Sequence, residues 1–183
     1  SYQNRFIRRA VPTRPMSDIH MVVDMNIRDR VRAILSLALL TMILPETLSG
    51  TTPPEVLFQP KALVFLARAY LLPILIIRDW AVRFDLDAGG IFLAGMAYGL
   101  INEGLLAKTI CRETGAPIAV FDRYGYALGI NFPWALWILV WHGLSSVLFP
   151  IVLTHLFVPK AAVRPWHGKK TTMVLAVFAA GLA

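Results

Sequence analysis

Four ionisable side chains interrupt the apolar stretches of this chain, and they are the residues whose types could do chemistry. Glu46 closes the first stretch, Arg68 lies in the second, Glu103 in the third and His142 in the fourth. A carboxylate and an imidazole at one site can activate a water and stabilise an oxyanion in hydrolysis. A carboxylate paired with an arginine can instead bind a small polar or ionic solute, or only fix how helices pack.

The elements that must position these side chains are membrane-spanning helices. Of 183 residues, 57% are hydrophobic and 16% are charged, and the apolar residues form long blocks rather than amphipathic stripes. We therefore predict an all-α fold, a polytopic transmembrane helical bundle with four complete spans and a truncated fifth. The complete spans are predicted at 31–44, 62–77, 88–110 and 132–158, and the incomplete one at 171–183.

Two regions are predicted along the chain: a basic arm at 1–30 and a membrane helical domain at 31–183 that is truncated at its C-terminus. Met16, Met21 and Met25 are candidate start sites, in which case the preceding part of the arm is not native. The N-terminal arm and every second connection after it hold 13 of the 18 Lys and Arg residues. The two connections on the other side hold four. This asymmetry predicts an inner-membrane protein whose N-terminus and basic arm are cytoplasmic.

The depths of the four side chains coincide. At about 1.5 Å per helical residue, Arg68 and Glu103 lie roughly 10 Å and 8 Å below the outer boundary and His142 roughly 15 Å, with Glu46 at the boundary. An ionisable side chain in a span costs about 2.5 to 3.5 kcal/mol unless it finds a partner or water. We therefore expect an outward-facing polar cluster in which Arg68 pairs with Glu103, near Glu46 or His142. The alternative is that these residues only fix helix packing.

The remaining polar residues of the apolar blocks and their ends have mainly structural interpretations. Ser146 shares a helix face with His142, so the two can touch, although a hydroxyl there often bonds a carbonyl one turn back. Arg78 is expected to extend its charged end to the lipid headgroups, and Asp79 and Arg83 are expected to form a solvated turn.

Composition argues against several classes of protein. The net charge of +7 resides mainly at the ends of apolar blocks, which does not favour nucleic-acid binding. The single cysteine, Cys111, excludes an intrachain disulfide and a CxxC motif, and no HExxH spacing occurs. We expect no metal and no cofactor.

Several motifs in residues 31–158 resemble those of a family of uncharacterised multi-spanning prokaryotic membrane proteins. They are E-x-x-S-G-T-T-P-P from Glu46, I-R from Ile77, A-Y-G-x-x-N-E-G from Ala97, W-H-x-x-x-S from Trp141 and F-P from Phe149. This resemblance implies membership of the family but no activity. The predicted binding residues are Glu46, Ser49, Thr51, Arg68, Tyr98 and Asn102.

The chain is also similar to the CPBP intramembrane glutamic proteases, whose sites combine a Glu-Glu-x-x-x-Arg helix with a Phe-x-x-x-His helix. Here Asn102 stands in place of the first glutamate, Ala107 in place of the arginine and Ile138 in place of the phenylalanine. The resemblance implies catalytic roles for Glu103, as the general base, and for His142, which would orient the water or stabilise the oxyanion.

Three functions remain open from sequence. The cluster can be a hydrolase site centred on Glu103 and His142, or a site that binds or transports a small polar solute. The chain can also be a scaffold or accessory subunit without a site. The expected partners are the lipid bilayer and a small polar solute or a peptide substrate, with no nucleic acid. The oligomeric state is not predicted.

Overall fold

Four long helices make up most of the residues that the structure describes. The structure is a computed structural model, and it describes residues 25–48, 50, 52–114, 119–168, 170, 171 and 174. The predicted helical fold is thereby confirmed. Helix α1 comprises Ile27–Met42 and Ile43–Thr47, and α2, α3 and α4 are Pro60–Arg83, Ala88–Leu106 and Phe132–Phe157. Short 3₁₀ segments occur at Pro54–Phe58, Ala119–Phe121 and Pro159–Ala162, and strands β1 and β2 are Tyr126–Ala127 and Ile130–Asn131.

Helices α2, α3 and α4 are long and apolar enough to cross a membrane. They coincide with the second, third and fourth predicted blocks. Helix α1 is not among these candidates, because Arg28, Asp29, Arg30 and Arg32 fall in its first turns. The predicted span at 171–183 lies almost wholly outside the described residues, as does most of the predicted arm at 1–30. The count of four complete spans and a fifth therefore stays a prediction.

Local signals in the sequence set where the helices begin. The side chain of Asn26 caps α1, that of Asp87 caps α3 and that of Asn131 caps α4, each by accepting a hydrogen bond from the backbone N–H three residues on, at 2.8, 2.8 and 3.1 Å. Such caps satisfy backbone donors that have no partner within the helix. Helix α2 begins instead at Pro60, whose ring suits a first helical position.

Every one of the four helices contains a π-helical segment. These segments are Ile43–Thr47 in α1, Ala67–Leu71 in α2, Leu100–Leu106 in α3 and His142–Leu148 in α4. Such segments are rare, and they occur often at functional sites because they redirect side chains and free backbone groups.

Prolines explain why two of these π-helical segments, those of α2 and α4, occur where they do. Pro73 and Pro150 each follow a π-helical segment and sit near the start of the α-helical turn after it. A proline within a helix lacks an N–H donor, and its ring clashes with the carbonyl four residues earlier. For Pro73 that carbonyl belongs to Ala69, and the Tyr98 hydroxyl donates to it at 2.7 Å. The neighbouring helix thus supplies the hydrogen bond that Pro73 removes.

Glycines allow α3 to approach α4 closely. A Cβ atom on Gly95 would lie 2.8 Å from the Cα of Gly143, and one on Gly99 would lie 2.8 Å from the Cβ of His142. Neither position has room for a side chain. The Gly95-x-x-x-Gly99 spacing thus places two small residues on the face of α3 that packs against α4.

A β-hairpin joins α3 to α4. Its antiparallel strands pair Tyr126 with Asn131, and the two-residue turn at Leu128 and Gly129 has positive φ angles of 53° and 79°. Positive φ at both turn residues is the geometry that suits the twist of a tight hairpin. The backbone N–H of Asn131 also donates to the Ile110 carbonyl at 2.9 Å, which ties the start of α4 to the end of α3.

Candidate functional site

The four π-helical segments bring one polar side chain each to a common place. They contribute Glu46, Tyr70, Glu103 and His142. Together with Tyr98, we name these residues the Glu–His cluster. The Tyr70 ring stacks on His142 with centroids 6.2 Å apart, and the Tyr98 ring meets His142 edge-on at 5.4 Å.

Glu103 and His142 form the centre of the cluster. The Oε1 atom of Glu103 lies 3.1 Å from Nε2 of His142, and the two side chains are 13% and 2% exposed. A contact at this distance between a carboxylate and an imidazole requires one proton on the line between them. The pair can therefore hold, accept or release a proton inside the helical bundle.

Thr109, which lies beyond the end of α3, holds the Glu103 carboxylate and is itself held by Trp134 of α4. The Thr109 hydroxyl donates to Oε2 of Glu103, and the indole N–H of Trp134 donates to the Thr109 oxygen at 3.0 Å. Asn102 contributes a longer contact, 3.4 Å from its Nδ2 to Oε1 of Glu103. The carboxylate is thus oriented from α3, from α4 and from the connection between them.

Glu46 occupies the opposite side of Tyr70. The Tyr70 hydroxyl donates to Oε1 of Glu46, and the Thr52 hydroxyl donates to Oε2. The structure therefore brings Glu46, Glu103 and His142 into one cluster, as their predicted depths suggested. Ser49 and Thr51, predicted to bind a ligand here, lie outside the described residues.

Arg68 does not join the cluster. Its side chain is exposed, and within the described part of the chain no ion pair links it to Glu103. The predicted Arg68–Glu103 pair is therefore wrong. The reason is helical geometry: Tyr70 faces the cluster, and residues two apart on a helix point to different faces.

The other two predicted binding residues, Tyr98 and Asn102, both lie beside Glu103 and His142, but they differ in whether their polar groups are already bonded. Tyr98 is 7% exposed, and its hydroxyl is engaged by the Ala69 carbonyl, so its visible role is to hold α2 against α3. Asn102 is half-buried and adjacent to Glu103, where its side-chain amide can still turn toward a ligand.

Three residues of the site were missed from sequence: Tyr70, Thr109 and Trp134. A phenol in the middle of an apolar block is a usable signal, because a buried tyrosine hydroxyl normally needs a partner. Thr109 gave no such signal, because it comes after Lys108, whose φ of 55° turns the chain out of the helix and back toward Glu103.

A second polar group lies elsewhere on α2, and we name it the Arg78 network: Arg78, Asp79, Trp166 and His167. Arg78 and Asp79 are both 0% exposed and 2.7 Å apart. Asp79 accepts the backbone N–H groups of Trp166 and His167 at 2.9 Å each, and Arg78 lies over the Trp166 ring at 4.1 Å. The expectation of a solvated turn here is therefore wrong.

The Arg78 network reaches the segment after α4 mainly through backbone atoms. Arg78 donates to the carbonyls of Ala161 and Arg164, and Arg83 donates to that of His167. Sequence alone could not anticipate these contacts, because backbone carbonyls carry no residue-specific signal.

No metal site accompanies either group. Over the residues that the structure describes, no three His, Cys, Asp or Glu side chains are arranged to hold a metal ion.

The three apolar helices define the class of this protein, a helical integral membrane protein. A model of an uncharacterised membrane protein family matches residues 35–182, which is most of the chain. The chain therefore belongs to that family. No curated protein and no solved structure matches it.

Proposed function

We propose that this protein is a membrane-embedded hydrolase in which Glu103 is the general base and His142 is its partner. The observation that carries the proposal is the 3.1 Å contact between the Glu103 carboxylate and the His142 imidazole, in a cluster lined by two tyrosines. A carboxylate that keeps 13% of its side chain exposed beside a nearly buried imidazole can accept a proton from a single water molecule.

The proposed reaction is hydrolysis of a peptide or ester carbonyl. Glu103 takes a proton from water while the water oxygen bonds to the carbonyl carbon. His142 donates a hydrogen bond from Nε2 to Glu103 or to the oxyanion that forms. The carbon–nitrogen or carbon–oxygen bond then breaks, and the proton passes from Glu103 to the leaving atom. The products are a carboxylic acid and an amine or an alcohol.

The resemblance to the CPBP intramembrane proteases that we propose from the sequence implies the same assignment of roles. The motifs from Glu46, Ala97 and Trp141 contain Glu46, Glu103 and His142, three members of the Glu–His cluster. We also propose that the substrate is carried by the bilayer, because the apolar residues three positions to either side of Glu103 on α3 are exposed, Leu100 at 54% and Leu106 at 45%.

Incorporation of heavy oxygen tests hydrolysis without a known substrate. The full chain in lipid nanodiscs is incubated with a membrane extract in water enriched in oxygen-18, and mass spectrometry records acids that gain the label. We expect labelled acids with the unaltered protein and a loss of roughly 100-fold or more with Glu103→Gln, the range for removing a general base. Glu55→Gln, at an exposed carboxylate, is the matched control and should keep the labelling. Equal labelling by the unaltered protein and Glu103→Gln would refute the proposal.

A second candidate, binding or transport of a small polar solute, has its own observation. Glu46 ends α1 in a π-helical turn and is held by Tyr70 and Thr52, so a second carboxylate lies in the same cluster. Proteoliposomes with an internal pH-sensitive dye test whether the two carboxylates pass protons. Proton entry that Glu46→Gln abolishes, with no labelled acids, would favour transport over hydrolysis.

We propose an inner-membrane location with the N-terminus in the cytoplasm, which places the Glu–His cluster toward the outer side. The support is the distribution of Lys and Arg residues between alternate connections. The single cysteine is a natural probe, because Cys111 is exposed in the connection between α3 and α4. A membrane-impermeant maleimide should label it in intact cells with a permeable outer membrane. With Cys111→Ser, a cysteine substituted for exposed Lys160 should react only after lysis. The reverse pattern would invert the orientation.

A further inference from the structure

The buried hydroxyl of Ser146 contacts the ring nitrogen of His142 that faces away from Glu103. The distance from Ser146 Oγ to His142 Nδ1 is 2.8 Å, and the two residues are 0% and 2% exposed. Both lie in the π-helical segment His142–Leu148. The contact occupies the second nitrogen of the ring, so His142 has a polar partner on each side.

The count of protons across the three side chains decides what Ser146 does. An ionised Glu103 can only accept, so Nε2 of His142 must carry the hydrogen that points to it. A neutral imidazole carries one hydrogen, so Nδ1 is then an acceptor. The partner of Nδ1 must donate, and the Ser146 hydroxyl is the group in contact with it.

The rest of the ring's surroundings does not compete for this role. Tyr70 stacks on the His142 ring face, and Tyr98 meets it edge-on, each with its hydroxyl donated elsewhere. On the α3 side, Gly99 packs against the imidazole carbon atoms. Among the residues that the structure describes, the contacts to the ring other than those of Ser146 and Glu103 are therefore made by its faces and its carbon atoms.

From this geometry we infer that Ser146 is a positioning residue: its hydroxyl donates to Nδ1 and holds His142 in the tautomer whose Nε2–H faces Glu103. The mechanistic value of this role rests on the proposed function, since the Nε2–H orients the general base. An enzyme whose catalytic histidine is held in the wrong tautomer loses activity although the rest of its site is intact, as the serine protease triad illustrates. The tautomer itself does not depend on the reaction.

The test reads the ring nitrogens directly. The full chain, labelled with nitrogen-15 in its histidines, is placed in lipid nanodiscs, and the His142 signals are identified by their loss in His142→Gln. We expect one protonated nitrogen, Nε2, and one hydrogen-bonded acceptor nitrogen, Nδ1. In Ser146→Ala the Nδ1 signal should move to the position of an acceptor without a donor, or the ring should populate the other tautomer.

Two variants control this measurement. Ser145→Ala removes the neighbouring hydroxyl, which is 8% exposed, and should leave both His142 signals in place. Ser146→Thr keeps a hydroxyl at the position and should retain the Nδ1 hydrogen bond. An unaltered Nδ1 signal in Ser146→Ala, or a ring protonated on both nitrogens in the unaltered protein, would overturn the inference.

The oxygen-18 assay separates this inference from the proposed function. If both hold, Ser146→Ala should label acids at least about tenfold more slowly, the loss expected when the partner that orients a functional histidine is removed. If the tautomer shifts but the unaltered protein yields no labelled acid, the positioning role of Ser146 stands and the hydrolase proposal fails. If the acids are labelled but the tautomer does not shift, the hydrolase proposal stands and the role of Ser146 fails.

Discussion

The Glu–His cluster and the Arg78 network both bury ionisable side chains, yet they are built in opposite ways. Arg78 and Asp79 are fully buried and direct their hydrogen bonds largely to backbone atoms of one segment. Glu103 remains 13% exposed, and its partners are side chains from α3, α4 and the connection between them. Backbone partners fix a fold, whereas side-chain partners with residual exposure can exchange protons with a ligand. The comparison favours a structural role for the Arg78 network and is consistent with the chemistry that we propose for the Glu–His cluster.

The largest expected effect on stability is at Asp79. Asp79→Asn removes the charge that compensates Arg78 in a fully buried pair, and breaking such a pair costs about 3 to 5 kcal/mol. Unfolding in detergent, followed by tryptophan fluorescence, measures the change. Asp85→Asn is the matched control, because Asp85 is exposed and asparagine tolerates its φ of 50°. If Asp79→Asn unfolds like the control, the Arg78 network is not a structural element.

Gly99→Ala is expected to damage both stability and the site. Its Cβ would lie 2.8 Å from the Cβ of His142, so α4 must shift, at a cost of about 1 to 3 kcal/mol for overpacking. The oxygen-18 assay should also slow, because His142 moves away from Glu103. Gly104→Ala adds the same methyl where the nearest contact is an ordinary 3.5 Å, and should change neither measurement adversely. A Gly99→Ala variant with full activity would show that the dyad geometry is not critical.

Thr109→Val should cost no more stability than Gly99→Ala, and it should also affect activity. The substitution leaves the buried indole N–H of Trp134 without its acceptor, which should lower the free energy of unfolding by about 1 to 3 kcal/mol. It also removes the hydrogen bond to one oxygen of Glu103. Unfolding and labelling rates measure the two effects. Thr109→Ser retains the hydroxyl and should preserve the labelling rate. An unchanged labelling rate in Thr109→Val would show that the hydrogen bond from Thr109 does not orient Glu103.

The smallest effect is expected at the surface pair of Lys160 and Asp29. The two charges lie 3.2 Å apart, but Lys160 is 48% exposed, so Lys160→Ala should change the free energy of unfolding by about 0 to 1 kcal/mol. The same unfolding assay measures it. A loss as large as that of Asp79→Asn would mean that exposed and buried ion pairs contribute alike here, against the distinction drawn between the two groups.

Much of the helical architecture could be predicted because a bilayer demands it. Apolar blocks of sufficient length correspond to α2, α3 and α4, and the prolines and capping residues mark their ends. The N-terminal block was harder to judge, because its apolar run is short and comes after four charged residues. Hydropathy is a property of segments, so it locates helices well and says little of their rotation.

The site could be predicted only in part for that reason. Depth along a helix can be counted in residues, and the three residues that it grouped, Glu46, Glu103 and His142, surround Tyr70 in the structure. The direction in which each side chain points around the helix axis cannot be counted in the same way, because a π-helical segment changes the rotation of every later turn of its helix. Arg68 was therefore assigned to a cluster that Tyr70 occupies, and the hydroxyl partners Thr109 and Ser146 came from a turn and a widened helix.

By itself, the sequence determined that this chain is helical, that long apolar segments belong in hydrocarbon and that two carboxylates and a histidine interrupt or end those segments. Burial of apolar area and the cost of unpaired charge in lipid are enough to decide those features. Tertiary structure alone decided which polar groups meet, because a hydrogen bond depends on fractions of an ångström set by helix rotation and close glycine contacts. That difference in length scale separates the 3.1 Å dyad of Glu103 and His142 from the exposed Arg68.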